Sequence, residues 1–548
     1  MEKENRTISR RGFVAGAAAA GVLAAGSSML TGCGGGGEAG GTFRYYINEP
    51  AWIDPYNLQE SEGTAVTSNI FDSLLEYDYR TEKLNPAAAE SWEVSDDATV
   101  FTFKLRSAAT FHNGDPVTAK DFKFAWERIC NPTTAAEPSE ISYHLAMVKG
   151  YSEMISGKAK DLVGAVAKDD LTFEVTLIQP YADFIYVITH PALGPVPSGG
   201  AAANFATYSQ APIGNGPFMI EGKWEHNQYI QVKRFENYYG DKALLDGVDF
   251  NIISEVDTAF TEFKAGNLDF VQIASGQIDT TLKDYGESAD GFVANPGKQT
   301  LLGPESSTYY LNVNTLDPVM KDKNVRMALS YAINRQAICD AVFFGTRVPA
   351  TGIIPPGIKG FRDGAWPAST YDVEKAKKAL ADAGYPNGEG FPTIKLSFNT
   401  GGDHGNIMQM VQADFRAIGV TAELDSMEWG LYLDELAANR IQIGRLGWIA
   451  DYPIMENFLY SLFYTGTGDN YSNYSNKQVD EAIYAARGET NDNDRIKAFQ
   501  NVDDMIAADF PIIPIMFYRH TRVASSRVNN FYFGPTMLPD LTHTWLTQ

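Results

Sequence analysis

The chain has 548 residues, with 44 basic and 68 acidic side chains and a formal charge of −24 at pH 7. That length exceeds one ordinary core, so two or three domains are expected. The negative balance makes nucleic acid and anionic lipid headgroups poor partners. With three cysteines and seven histidines, the chain has no C-x-x-C, H-E-x-x-H, G-x-S-x-G or G-x-x-x-x-G-K-S/T pattern. Zinc-ribbon, thioredoxin-type, common hydrolase and nucleotide-enzyme chemistries are therefore not expected, nor is a cofactor.

Ser9-Arg10-Arg11-Gly12-Phe13 precedes an uncharged run from Val14 to Leu30, and Leu30-Thr31-Gly32-Cys33 closes it. Paired arginines, a short apolar segment and a small-residue cleavage site form a twin-arginine export signal over residues 1–32. The last four residues resemble a bacterial lipobox, which implies that Cys33 is lipidated and begins the mature chain. The competing reading is a membrane-spanning anchor, for which an Ala- and Gly-rich run of this length is marginal against ~30 Å of hydrocarbon. Without residues 1–32 the formal charge is −26, so contact with a membrane would come through the lipid, and one acyl chain alone binds only marginally. Residues 33–41 read as the lipidated Cys and a Gly-rich tether. Cys130 and Cys339 then remain, forming one disulfide or none.

Beyond the tether, Thr42 to Ile47 reads as a strand. Val66 to Tyr77 reads as an amphipathic helix with Ile70, Leu74 and Leu75 apolar. Phe101 to Leu105 alternates apolar and polar as a half-buried strand does, after turn chemistry at Ser95-Asp96-Asp97. Thr118 is the expected N-cap of a helix through Phe122 to Ile129, and Leu171 to Ile178 alternates again. Gly194 to Gly200 is a strong breaker and an expected crossing between domains. Asn324 is the expected N-cap of a helix running to about Phe343. Val373 to Ala383 reads as a helix stopped by Gly384 and Pro386. Ile394 to Phe398 reads as a strand, Asn406 to Ile418 as a helix and Val420 to Leu424 as a strand. Helix and strand mix throughout without a repeat, so the class is α/β with several sheets. Most of the 28 Tyr, 31 Phe and 8 Trp belong to core packing, and a minority could line a ligand cleft.

Ala89-Glu90-Ser91-Trp92, Phe101 to Arg106, and Phe111-His112-Asn113-Gly114-Asp115-Pro116-Val117-Thr118-Ala119-Lys120-Asp121-Phe122 resemble the signature of the family-5 extracellular solute-binding proteins of ABC importers. Gly214-Asn215-Gly216-Pro217-Phe218, Val325 to Arg335, and Gly447-Trp448-Ile449-Ala450-Asp451-Tyr452 continue the likeness in the same order. Trp126 to Pro197 is similar to the oligopeptide-binding members. The signature itself reads as structural, with Gly114 and Pro116 in a turn and Trp92 and Phe103 packing a core.

The resemblance implies a two-lobed periplasmic-binding-protein type II fold with three domains and a ligand cleft between lobes. Its expected parts are residues 42–75, 198–306 and 519–548 for the first domain, 76–197 for the second and 307–518 for the third. It implies a non-enzymatic, monomeric lipoprotein outside the cytoplasmic membrane that binds oligopeptides and serves ABC permease subunits. A peptide-sensing lipoprotein and a binder of nickel, haem or another small solute are the alternatives.

By the same resemblance Asp451 pairs with the ligand's α-amino group, and Trp448 lines the cleft. Arg445 and His404 lie near the ligand carboxylate. Tyr309, Tyr310 and Asn312 fall on a strand whose backbone pairs with peptide in relatives, and alternation puts Tyr310 and Asn312 on one face. Glu62 matches a cleft-facing acid of the first domain. Two departures stand out. Tyr452-Pro453-Ile454-Met455 replaces an acidic and Pro-containing stretch, and the disulfide that close oligopeptide binders place between positions 307 and 449 is missing, because those positions hold Ser and Ile.

Overall fold

A computed structural model describes residues 40–547, so the expected export signal and lipidated Cys33 lie outside the described residues. Among the described residues, no helix is long and apolar enough to cross a membrane. Cys130 and Cys339 are separate buried thiols. Burial pushes both thiol pKa values up, that of Cys339 to about 12.

Buried apolar side chains gather into two large cores. One draws on residues between Phe43 and Leu301 and on the C-terminal stretch through Leu546, while the other draws on residues from Tyr309 to Met516. The chain thus passes between two lobes twice. Tyr452 is the exception to this division, because it belongs to the second stretch of sequence and packs in the first core.

The first lobe carries a seven-stranded sheet in the order Thr300–Leu301, Arg522–Ala524, Phe270–Gln272, Thr42–Ile47, Gly247–Ile252, Tyr229–Arg234 and Phe218–Ile220. It also carries a four-stranded antiparallel sheet from Ala89–Val94, Val100–Leu105, Thr172–Thr176 and Ala165–Asp169. The second lobe is built on six strands in the order Val348–Pro349, Ile512–Arg519, Pro304–Val313, Ile443–Ile449, Ile394–Asn399 and Ala422–Met427.

The signature acts on the fold. Trp92 lies opposite Phe103 across an antiparallel pair, and Gly114 takes φ +87° in the turn beside Pro116. His112 bonds the Gly214–Phe218 segment: its N–H donates to the Gly214 carbonyl at 2.9 Å, and its ring meets Gly214 N and Gly216 O at 3.2 and 3.1 Å. Burial lowers the His112 pKa to about 4, so the ring is neutral there. Gly214 permits this junction, since a Cβ there would lie 2.0 Å from the Ile70 carbonyl oxygen. Thr118 precedes the helix Ala119–Cys130 as expected, and its N–H and hydroxyl both donate to Asp121 at 2.8 and 2.7 Å.

Two expected helices are corrected. Residues 66–77 do not form one helix: Ser61–Thr67 is helical, and Leu75–Asp78 is a strand. Ile70, Leu74 and Leu75 are buried as expected, but the 214–218 segment and Ala89 pair with the Asn69, Ile70 and Leu74 carbonyls and stop the helix from continuing. The helix expected from Asn324 to Phe343 is two helices, Lys323–Ala332 capped by Asp322 and Arg335–Phe343 capped by Asn334. The buried Arg335 forces the break. Its guanidinium donates to the Ser330 and Pro514 carbonyls, and the intervening turn supplies that geometry. The helix His404–Ala417 and the strand Ala422–Met427 lie within two residues of their expected starts; the helix Val373–Asp382 starts where expected, and Gly384 beyond it takes φ +95°.

Candidate functional site

The strand Ile443–Ile449 positions the site. Its partner Pro304–Val313 covers one edge along the full length, from Ser307 opposite Ile449 to Val313 opposite Ile443. On the other edge the strand Ile394–Asn399 pairs only with Ile443 and Gly444. The Arg445 carbonyl on that side accepts from the Tyr432 hydroxyl at 2.8 Å. Leu446 to Ile449 therefore have sheet partners on one side only, and alternation leaves the backbone groups of Gly447 and Ile449 pointing outward.

Asp451 stands just past this edge. Its Oδ2 accepts from the Tyr143 hydroxyl of the first lobe and from Asn457 Nδ2, both at 3.0 Å. Asn457, fully buried, also accepts with its Oδ1 from Trp448 Nε1 at 2.9 Å and Asp451 N at 3.1 Å. One amide thus fixes both the acid and the indole. His144 Nε2 approaches Asp451 Oδ2 to 4.0 Å and stacks on His190 with ring centroids 4.9 Å apart. Burial lowers both imidazole pKa values, so neither histidine supplies a cation at neutral pH. Nearby Asp469 is pushed up to about 8 by burial, then by the charges of Asp451 and Glu140. Asp451 keeps 22% of its side-chain surface exposed and, among the described residues, has only the neutral His144 near it and no cationic partner.

The other end of the edge is basic. Arg445 Nε donates to Asn399 Oδ1 at 2.6 Å, and its guanidinium lies 5.3 Å over the Trp429 ring. Arg347 lies between the rings of Tyr518 and Phe343, at 4.2 and 4.3 Å, with no ion pair among the described residues. His404 begins its helix close by, with Nδ1 3.5 Å from the Tyr309 hydroxyl. Its pKa is pushed down to about 2, first by burial and then by Arg445 and Arg347. It acts as a neutral hydrogen-bonding ring.

Several expected site residues come together and others separate. The register puts Tyr309 opposite Gly447 and Leu311 opposite Arg445, so Tyr309 and Arg445 share a sheet face with His404 beside them. Tyr310 opposite Leu446, Asn312 and Trp448 occupy the reverse face, where Asn312 Nδ2 donates to the Tyr471 carbonyl at 3.0 Å. The expectation that the 309–312 backbone pairs with ligand is corrected. That strand lies between Ile443–Ile449 and Ile512–Arg519, and both of its edges are occupied apart from a bulge between Tyr309 and Tyr310. Glu62 sits on the first lobe, accepting from Asn48 Nδ2 at 3.0 Å and Ser61 at 2.8 Å, with no hydrogen bond or ion pair to the second lobe among the described residues. Tyr143, Arg347, Asn457 and Asp469 were not singled out from the sequence. Tyr143 and Arg347 reach the site from distant segments, Asn457 comes from the helix Met455–Phe463 just after Asp451, and none stands in a chemical motif.

Two other cavities carry less chemistry. One of about 880 Å³ in the first lobe is lined by Trp52, Phe205, Trp224 and His226, and one of about 560 Å³ lies between Gly276 and the helices bearing Val342 and Met410. Neither has a lysine or arginine in its wall. The edge at 445–451 instead sets an acid and two guanidiniums at opposite ends of unpaired backbone.

Comparison with known proteins agrees. Oligopeptide-binding protein OppA of Bacillus subtilis is 30% identical over 490 residues, covering 87% of each chain. The structure of the Escherichia coli murein tripeptide binding protein MppA superimposes with a TM-score of 0.81 at 26% identity, covering 93% of this chain and 99% of that one. The unliganded open form of MppA gives 0.69 at 25% identity, with 92% and 97% covered. Residues 83–470 match the description "Bacterial extracellular solute-binding proteins, family 5 Middle", so the chain belongs to the family-5 bacterial extracellular solute-binding proteins of ABC transporters, which bind substrates and do not transform them.

Proposed function

We propose that this protein captures oligopeptides outside the cytoplasmic membrane and delivers them to the permease of an ABC importer. The observation that carries this reading is the unpaired edge Leu446–Ile449 held between Asp451 and the Arg445–Arg347 pair. A peptide has an ammonium, a row of amides and a carboxylate, and this edge offers a complement to each. Its N-terminus sits at Asp451 and its C-terminus toward Arg445, antiparallel to the strand. Six residues of extended chain rise about 20 Å, which suits a peptide of about four to six residues. Its side chains alternate between the Tyr309–His404 face and the Tyr310–Trp448 face.

The Tyr143–Asp451 contact bridges the lobes, so closure encloses the ammonium. The lower TM-score against the open form of MppA supports a closed arrangement of this chain. The peptide-binding names of OppA and MppA support the ligand class. The three-domain division at 42–75, 76–197, 198–306, 307–518 and 519–548 is part of the proposal, supported by sheet membership. So are the monomeric state, the twin-arginine signal and the lipid on Cys33, which rest on sequence.

Calorimetry with an unblocked pentapeptide and its C-terminal amide tests the orientation. Amidation should weaken binding by roughly tenfold, as loss of a charge-assisted hydrogen bond does. The double variant R347A/R445A should bind both forms equally. Equal binding of both forms by the wild type would overturn the assignment of the basic end.

A further inference from the structure

Away from the peptide edge, the lobes meet at a second polar contact. Asp183 occupies the N-cap position of the short helix Phe184–Val187, yet its side chain caps nothing. Both carboxylate oxygens instead accept from Arg495 across the lobe boundary, Oδ2 from Nε at 2.7 Å and Oδ1 from Nη2 at 2.8 Å. Arg495 belongs to the helix Asp492–Asp509 and is steadied by the Glu489 carbonyl at 3.0 Å and Asp492 at 2.9 Å. The two side chains keep only 8% and 7% of their surface exposed. Around them Gln179 Nε2 donates to the Tyr484 carbonyl at 3.1 Å, and the Arg487 guanidinium lies 5.1 Å from the Tyr181 ring. None of these residues belongs to the 445–451 edge.

We infer that Asp183 and Arg495 are a positioning pair that licenses lobe closure, setting peptide affinity without touching peptide. The inference rests on the peptide-binding reading above. With the lobes apart, each charge is hydrated. Closure strips both of water; the fork-to-carboxylate match compensates Asp183, and Arg495 draws on it together with Asp492 and the Glu489 carbonyl. Burial accordingly holds the Asp183 carboxyl above its ordinary range, with Arg495 pulling it back. Such a pair adds little over a matched apolar pair of similar volume, whereas one partner buried alone is strongly penalised. The pair therefore checks the register of closure more than it glues the lobes. A misaligned closure would bury Asp183 unmatched and leave Arg495 with Asp492 alone among carboxylates.

The test uses a randomised pool of unblocked tri- to hexapeptides, titrated into the full chain and read by tryptophan fluorescence and small-angle scattering. D183N and R495Q should each raise the half-saturating concentration roughly 10- to 100-fold. R495K, which keeps the charge and loses the fork, should fall between them and wild type. D183L/R495M should return to within about threefold of wild type. Thermal unfolding of the ligand-free protein should shift little in all four variants, because lobes that open without ligand would hold the pair apart. Single variants that bind like a peptide-binding wild type would overturn the inference and leave the functional reading intact. Weakened binding that tracks an equal loss of ligand-free stability would reduce the pair to a structural one and overturn it too. A wild type that neither binds nor closes on the pool would overturn the peptide reading, and the inference with it.

Discussion

Replacing Asp451 by Asn perturbs the proposed ammonium anchor with little change of shape. The Asn oxygen can still accept from Tyr143 and Asn457, so the local scaffold at 3.0 Å should persist. What is lost is the charge facing a ligand ammonium that has shed water on closure. Truncating one member of a buried charge pair costs about 2–5 kcal/mol. Asp451 retains 22% side-chain exposure, which screens part of the interaction and favours the lower half of that range. About 2–3 kcal/mol corresponds to roughly 30- to 150-fold in affinity. Calorimetry on wild type and Asp451→Asn, each with free and N-acetylated pentapeptide, forms a double-mutant cycle that isolates the pair. The acetylated peptide should bind wild type poorly and be nearly indifferent to the substitution. Equal losses for the two peptides would refute the reasoning and make Asp451 a structural acid.

Asn457→Ala strips the support from both Trp448 and Asp451, leaving buried donors and acceptors unmatched at about 1–3 kcal/mol; peptide affinity and ligand-free thermal stability should fall together, in contrast to Asp451→Asn, and an unchanged affinity would show that the amide positions nothing. Asp269 is buried between Arg44 and Arg527, whose guanidiniums hold its carboxyl at about 2 despite desolvation. Because that value lies below the unfolded one, its stabilisation is present above about pH 4 and lost as pH falls through about 2, an effect of about 2 kcal/mol; Asp269→Asn should flatten acid unfolding in that window, and an unaltered profile would contradict the ion-pair account. Cys33→Ser should release the protein from membranes without changing its melting temperature, because the tether precedes the first strand at Thr42; a variant that still fractionates with membranes would argue against the lipid.

Much of this architecture is legible in the chain because its strongest signals are local. Thr118 with Asp121, the alternation through Phe103 and the Gly384 stop each depend on neighbours a few residues away. The misread helices failed where distant groups intervene. The stretch from Ile70 to Leu75 looks amphipathic until segment 214–218 claims its carbonyls, and the break at Ile333–Asn334 answers to Pro514. The site shows the same division. Trp448 and Asp451 lie in one matched segment, with Arg445 two residues before it, and were nameable. Tyr143 and Arg347 act only through tertiary placement, while Asn457 lies six residues from Asp451 but past the matched segment. The free edge at Leu446–Ile449 could not be read at all, because strand order, and not residue type, decides which edge stays open.

The central claim is that the unpaired edge between Asp451 and Arg445 holds a peptide. Native mass spectrometry of protein gently purified from its own host measures this most directly. The account predicts adducts that leave on unfolding and sequence as unblocked peptides of about four to six residues, the length the edge allows. A bound metal, haem or other non-peptide solute that survives purification, with no peptide adduct, would contradict it.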